Sequence, residues 1–380
     1  MNPLHAGHAT VDLDVTLGTP LAGNVSRDRV AQRVPGDSGV RLEARTLHLR
    51  RGDGPGVTLL TADILVMTPE LHAAVAKAAD VDPQTLLASA THTHSGPGGY
   101  WAPALPQRFM GPYSDAAFEA VVTPLARSIV AARADARAVT SVTSSTAPVV
   151  GASANRRQRY GAVDEALTLV RFDVDGARPI EVVSFGAHPV IASERAPELA
   201  SGDWPGELCA RIRAQGARPL FFQGAVGGLS PLFPEFPMAA DRHLTMMTDL
   251  LERGLDHARS ELARVDTGTL DSRVLRLPLA PPECRIMPGR PLREAALLPV
   301  RRWMRQRGAE ARPRDAIAPL HLIRLGDVAW LGTPCDLGVN VALALKETLQ
   351  NAGVSVPMVG SQCNAYVGYV HLPGDYARRP

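Results

Sequence analysis

Long apolar stretches are missing from this sequence. No run approaches the ~20 consecutive apolar residues that a helix needs to cross a bilayer. The stretch Met1–Leu17 carries His5, His8, Asp12 and Asp14 and holds no apolar core of the kind a secretory leader has. These two absences predict a cytoplasmic protein without a membrane anchor. Cysteine is sparse: Cys209, Cys284, Cys335 and Cys363 form no CxxC pair and no framework spacing. Free thiols are therefore expected, as in a reducing compartment. Excess charge is missing too, since 40 basic residues stand against 38 acidic ones for a net +2. That balance leaves no electrostatic footprint for a nucleic acid. The densest basic cluster (Arg301, Arg302, Arg305 and Arg307) is interrupted by Trp303 and Met304 at helical spacing. It reads as the solvated face of a helix.

What is present is an alternation of strand-like and helix-like segments over 380 residues, 45% of them hydrophobic. Val57–Ile64 reads as a strand, Pro69 to about Ala79 as a helix, and Thr85–Ala90 as a short apolar strand. Asp115 to about Ala136 has the pattern of a long amphipathic helix, followed by strands at Val139–Val150, Leu167–Val174 and Pro179–Phe185. A helix opening on Pro205 and running to about Gln215 precedes a buried strand at Pro219–Gln223. Helices over Ala239–Arg264 and Leu292–Arg307, a hairpin at His321–Leu331, a helix over Val339–Gln350 and a strand at Val356–Gly360 complete the pattern. The proline-rich stretch Leu279–Pro291 is followed at once by renewed helical pattern, so it reads as a surface excursion and not as a boundary. The whole predicts an α/β fold: a layered α/β/α single catalytic domain over residues 1–380, with a mixed sheet.

Ionisable residues gather where apolar strands end in glycine-rich turns, the place where α/β sheets bind ligands. Thr91-His92-Thr93-His94-Ser95-Gly96-Pro97-Gly98-Gly99-Tyr100 follows one such strand. Two histidines at i and i+2 there are either half of a metal site or a pair hydrogen-bonded within the turn. Ser184-Phe185-Gly186-Ala187-His188-Pro189 brings a third histidine to a second strand end, where a lone histidine is more often structural than a ligand. Gln223-Gly224-Ala225-Val226-Gly227-Gly228-Leu229-Ser230-Pro231 is glycine-rich, but no Gly-Lys-Ser/Thr follows to mark a phosphate loop.

The order of these motifs resembles the neutral, alkaline-tolerant ceramidases and their shorter bacterial relatives. His92–Tyr100 resembles that family's THTHSGPGG signature, Asn155-Arg156 its Asn-Arg pair, and Phe185–His188 its Phe-x-x-His strand end. Ser201–Gly206 resembles SGDxxG, Gly227–Pro231 resembles GDVSP, and Asn364–Val370 resembles the NxYxxYV segment. The likeness runs over roughly residues 8–376. It implies one Zn²⁺ held by His92, His188, Asp336 and Tyr369, and Tyr369 is picked out by the resemblance alone. It implies further that His94 acts as acid/base or as a donor to an oxyanion, that Arg156 stabilises negative charge, and that Ser230 is a nucleophile or a water-positioning hydroxyl. Two histidines with hard oxygen donors suit zinc.

Three departures from the family pattern bear on function. Thr333-Pro334-Cys335-Asp336 stands in place of a Pro-Gly-Glu, so either the shorter Asp336 arm or the Cys335 thiolate would complete the ligand set. Gly228 replaces an aspartate. The sequence ends at Pro380, where the family continues into a further Tyr-Glu and an immunoglobulin-like domain. The expected function is a zinc-dependent hydrolase of an amide (N-acyl) bond in a small soluble molecule. Formation of an amide, lactam or ring at the same site, and a catalytically degenerate binding protein, are the alternatives.

Overall fold

A computed structural model of the chain describes residues 2–23, 29–34, 41–158, 160–233, 237–279 and 317–377. The expected helix at Leu292–Arg307 with its arginine cluster, Cys284, and the proline-rich stretch after Leu279 lie outside these residues.

In chain order the strands of the first half are β1 (Leu4–Asp12), β2 (Glu43–Arg51), β3 (Val57–Ala62), β4 (Leu86–Ala90), β5 (Arg137–Pro148), β6 (Ser153–Asn155), β7 (Ala166–Val174) and β8 (Ile180–Phe185). Then come β9 (Arg218–Gln223), β10 (Leu229–Pro231), β11 (Ala263–Arg264), β12 (Leu270–Pro278), β13 (Ile317–Leu325), β14 (Val328–Gly332), β15 (Asp336–Leu337), β16 (Val356–Gly360) and β17 (Tyr369–Val370). The helices used below are α1 (Pro69–Ala78), α2 (Gln107–Met110), α3 (Asp115–Ala134), α4 (Ile191–Arg195), α5 (Asp203–Ala214), α6 (Ala240–Ser260) and α7 (Val339–Asn351).

The main sheet runs β4-β3-β2-β1-β5-β7-β8-β9, with β11 added beside β5. Its terminal pairs, β3/β4 and β8/β9, are parallel and the pairs between them are antiparallel, so the sheet is mixed as expected. Among the described residues, the strand pairing that joins the two halves is confined to His5↔Ala138 and Ala6↔Arg137. At that narrow seam the sheet turns back on itself, and Leu47, Leu59, Phe172, Val182 and Phe222 from opposite halves share one core.

Strand alternation then sorts neighbours onto opposite faces. Leu59 points into the shared core, whereas Leu60 packs outward with Leu71 of α1 and Leu125 of α3. Val182 points inward, whereas Val183 packs outward with Leu208 of α5 and Leu251 of α6. A second sheet, β12-β13-β14-β16, closes the remaining side, contributing Ile323, Trp330 and Met358 to the same core. The hairpin expected at His321–Leu331 is its β13/β14 pair.

Helix starts follow their capping chemistry. Thr68 accepts the N–H of Leu71 ahead of Pro69 in α1, and Ser114 accepts that of Ala117 in α3. Helix α5 begins at Asp203, two residues before the expected Pro205, because the Asp203 carboxylate accepts the Trp204 N–H and starts the first turn earlier. Helix α6 stops at Ser260 and leaves Ala263–Arg264 to pair with β5, so the expected run to Arg264 is too long. Strand β1 carries no apolar signature for a steric reason. Helix α3 crosses it so closely that a Cβ on Gly7 would lie 2.0 Å from the Ala132 carbonyl oxygen.

Beneath the first half lies a buried ion network. Arg45, with no exposed side-chain surface, donates from Nη1 and Nη2 to both oxygens of Asp63 at 3.0 and 2.9 Å, and from Nε to Glu43 at 3.0 Å. Glu43 also accepts from Arg213 of α5 at 2.7 Å. Asp63 receives in addition the Glu43 N–H at 2.9 Å and the Thr91 hydroxyl at 3.1 Å. Removing one partner of such a group strands the other charge in the interior. Asp63→Ala is therefore expected to lower stability by about 3–5 kcal/mol in urea unfolding. A loss under about 1 kcal/mol would show that Glu43 alone satisfies Arg45.

Candidate metal centre

The parallel strand pairs β3/β4 and β8/β9 bring their C-terminal ends to one side, and His92 and His188 follow β4 and β8 there. His92 adopts a left-handed backbone with φ +67°. Its N–H bonds the Ile64 carbonyl at 3.1 Å, which holds the turn. This turn, and not strand alternation, folds His94 back so that its Nε2 lies 3.3 Å from the Nε2 of His92. The ring of His188 completes the group, 4.8 Å from His92 and 5.6 Å from His94 between centroids.

Each of the three imidazoles is oriented in the same manner. The Nδ1 of His92 meets the Leu65 carbonyl at 2.8 Å, that of His94 the Gly23 carbonyl at 2.8 Å, and that of His188 the Leu229 carbonyl at 3.1 Å. A carbonyl only accepts, so each Nδ1 carries the proton and each Nε2 carries a lone pair. The three ligand nitrogens lie within 4.8 Å of one another. Burial, reinforced by the neighbouring His92 and by Arg156, holds both His94 and His188 well below the usual histidine range. Three unprotonated nitrogens facing one another is an arrangement that a cation relieves. These donors fit a borderline divalent metal such as zinc.

Other expected residues stand around this group. Asp336, buried at the end of the segment after β14, places Oδ1 at 3.5 Å from the Nε2 of His92. Gln362 donates to the same oxygen, and the Tyr366 hydroxyl donates to Oδ2 at 3.2 Å. Strand pairing sets Asp336 beside Tyr369, whose ring stacks on His188 at 6.4 Å and 10°. Arg156 donates from Nη2 to the His188 Nε2 at 3.2 Å and to the Tyr369 hydroxyl at 3.1 Å. Its place is fixed by Asn155, whose Oδ1 accepts the N–H groups of Arg157 and Gln158, and by its own N–H bond to Gly228.

Two expected candidates make no hydrogen bond to the imidazoles among the described residues. Cys335 points into an apolar group with Leu331, Leu337 and Val359, and burial pushes its thiol up to about 12. Ser230 sits one residue beyond the carbonyl that orients His188, yet its hydroxyl makes no hydrogen bond to the cluster among the described residues.

The sequence reading did not single out Asp203, Gln362 or Tyr366 as individuals. Asp203 braces the segment that follows His188: its carboxylate accepts the N–H groups of Ala192 at 2.7 Å and Trp204 at 2.9 Å. Its own N–H bonds the Ser201 hydroxyl. Thr93, between the two histidines, donates to the Ser201 carbonyl at 2.7 Å, and the Trp204 indole donates to the His188 carbonyl at 3.3 Å. Left-handed backbone at His92, Asp203, Gln362 and Asn364 concentrates strain on this side of the fold.

The cavity of about 430 Å³ lined by Tyr100, Trp101, Leu105, Tyr113 and Phe118 lies apart from the imidazoles. Only the edge contact of Trp101 with Tyr366, 5.9 Å between centroids, connects the two places.

Comparison with known proteins agrees with the motif order. The sequence profile of the family described as neutral/alkaline non-lysosomal ceramidase, N-terminal, matches residues 40–207. That span includes His92, His94, Arg156 and His188 and excludes Ser230, Asp336 and Tyr369. No curated protein matches the chain by sequence. Among solved structures, the neutral ceramidase from Pseudomonas aeruginosa shares the fold with a TM-score of 0.80 and 21% identity, over 99% of this chain and 70% of that one. A ceramidase complexed with C2 shares it with a TM-score of 0.79 and 18% identity, over 99% and 71%. The sequence likeness to the neutral ceramidase family therefore covers residues 40–207, and the likeness in fold extends over nearly the whole chain.

Burial pushes the carboxyl of Asp203 up to about 6, against the pull of its backbone N–H donors. The native state then keeps a proton that the unfolded chain releases between about pH 4 and 6. This contribution to stability is full below about pH 4 and is lost as pH rises through 6. Relative to Asp203→Asn, the wild type should lose about 2–3 kcal/mol between pH 4 and 7, read from urea midpoints. Parallel pH profiles for the two proteins would contradict this.

Proposed function

Given a chain that carries the neutral ceramidase fold, we propose that the protein is a zinc-dependent amidohydrolase cleaving an N-acyl bond of a small polar substrate. The observation that carries this reading is the convergence of three imidazole Nε2 atoms whose Nδ1 protons are taken by main-chain carbonyls. His92, His188 and Asp336 would hold the ion, with Tyr369 as the fourth protein donor. All of Asp336 but 1% of its surface is buried, and its neighbours Gln362 and Tyr366 leave carboxylate lone pairs over for a metal. Zinc bound there lowers the pKa of a bound water toward ~7 and polarises a carbonyl. Tyr369, 44% exposed, faces the open side of the group.

The chain's own residues supply the rest. His94 is the least buried of the three imidazoles and, with its Nδ1 fixed on Gly23, offers its Nε2 as the base that takes a proton from water. The same nitrogen returns that proton to the departing amine. Arg156 places guanidinium N–H groups beside His188 and Tyr369, where they meet the oxygen that becomes negative as water adds to the carbonyl. Water is nucleophile enough for this sequence of events, so Ser230 is given no step in it. The site draws on β4, β8, β15 and β17, which supports residues 1–380 acting as one catalytic unit. The rim of Arg156, Arg157, Tyr369 and His371 is polar and favours a polar amide over a lipid one.

Elemental analysis of the purified protein should find about one zinc per chain, lost in His92→Ala, His188→Ala and Asp336→Ala and kept in Cys335→Ser. His94→Ala should keep the metal while kcat on N-acyl substrates falls about 10²–10⁴-fold. Arg156→Ala should lower kcat about 10²–10³-fold. Full zinc in a folded His92→Ala protein would overturn the ligand assignment, and an unchanged kcat in His94→Ala would remove the base.

A further inference from the structure

The hydrolytic chemistry makes no use of the cavity beside the histidine turn. Its volume of about 430 Å³ falls within the ~300–1,000 Å³ usual for sites that take a small molecule. Tyr100, Trp101 and Leu105 enter it from the chain after the turn, Tyr113 and Phe118 from either side of the α3 cap, and Glu70 from the first turn of α1.

The aromatic walls are held in place by their neighbours. Tyr100 is buried, and its hydroxyl donates to the Val66 carbonyl at 2.9 Å and accepts the Val66 N–H at 3.2 Å. Trp101 makes edge contacts with Phe109 at 6.3 Å and with Tyr366 at 5.9 Å between centroids. Tyr113 packs on Phe118 at 6.5 Å, and its hydroxyl donates to the Asp115 carboxylate at 2.8 Å. With both hydroxyls engaged, the tyrosines offer the cavity ring surface, and the face of an aromatic ring is its negative part.

Formal charge here has one sign. Glu70 is exposed and has no ion-pair partner among the described residues. The Asp115 hydrogen bond, with the charge of Glu119 behind it, holds the Tyr113 hydroxyl above the usual tyrosine range. No arginine, lysine or histidine lines the cavity among the described residues. Glu70 and Asp115 lie in the first turns of α1 and α3, whose ends carry roughly half a positive charge each. Three carboxylates against two half charges leave the place negative.

Aromatic walls and a negative rim suit a cation whose own surface is apolar. Its alkyl groups pack on the rings while its diffuse charge is drawn to the ring faces and carboxylates. A primary ammonium is a compact, strongly hydrated charge and gives up more water to enter. We infer that this cavity binds a small quaternary ammonium compound, held by the rings of Trp101, Tyr113 and Phe118 and by the carboxylate of Glu70. The site stands on its lining residues alone and needs neither the metal nor the hydrolase reading.

Calorimetry on the purified full-length protein tests this with choline and with dimethylbutanol, which has the same shape but carbon in place of the ammonium nitrogen. Choline should bind about tenfold more tightly or better. Glu70→Gln, at an exposed position, should weaken choline about threefold or more and leave the alcohol unaffected. Trp101→Leu should weaken choline about tenfold; if that protein misfolds, wild type and Glu70→Gln decide. Phosphocholine, which adds a phosphate to the same cation, should bind more weakly than choline because the rim repels it. Absence of choline binding to wild type, equal affinity for choline and dimethylbutanol, or choline affinity unchanged by Glu70→Gln would overturn the proposal. Phosphocholine binding as tightly as choline would overturn it too, since a lipid headgroup would then fit as well as a free cation.

Discussion

The carboxylate of Asp63 is the point on which the site's placement depends. It stands at the end of β3 and accepts from Arg45, from the Glu43 N–H and from the Thr91 hydroxyl. Thr91 precedes His92 directly, so the histidine turn is anchored to a charge that cannot move without exposing Arg45 to an apolar interior. The Glu43 contact works at a distance, since the Glu43 carboxylate accepts from Arg213 and couples this strand end to α5. A buried ion pair is weak evidence of net stability. Its value here is geometric: it permits one position of the β3–β4 ends and excludes the others.

A second constraint fixes the imidazoles against each other. Thr93 and Ser201 join the loop after β4 to the loop after β8, and Asp203 braces the latter, so His92, His94 and His188 keep their spacing. The carbonyls that accept from the three Nδ1 atoms come from separate segments, at Gly23, Leu65 and Leu229. Backbone strain at His92 and Asp203 is tolerated because these bonds over-determine both conformations. Preorganisation of this kind is what a metal or a developing charge needs, since nothing has to rearrange when either appears.

Much of this was legible in the sequence, for identifiable reasons. Strands buried on both faces read as apolar, β-branched runs, and β3, β4, β8 and β9 were found where Val57–Ile64, Thr85–Ala90, Pro179–Phe185 and Pro219–Gln223 predict them. The histidines at their ends stood out because each interrupts an apolar run. Strand β1 escaped notice because its helix contact demands Gly7 and small neighbours, which removes the pattern by which a strand is recognised. Asp336 and Tyr369 carry no local signal at all: they reach the site through a two-residue parallel pairing late in the chain, and only the family resemblance indicates them. Gln362 and Tyr366, which bond Asp336, are single polar residues whose meaning depends on contacts that no spacing encodes.

The narrow seam between the halves of the main sheet has a consequence for how the molecule breathes. With two paired positions joining β1 to β5, the sheet itself carries little main-chain bonding across the seam, and amide protons there should exchange through excursions smaller than global unfolding. His92 belongs to one half, His188 to the other, and Asp336 to the connection between β14 and β16 of the second sheet. Any ligand gripped by all three adds a link between regions already joined by the Thr93–Ser201 bond and the Glu43–Arg213 ion pair. Occupancy of the site would then be felt far from it, as slower exchange at the seam and a sharper, more cooperative unfolding transition.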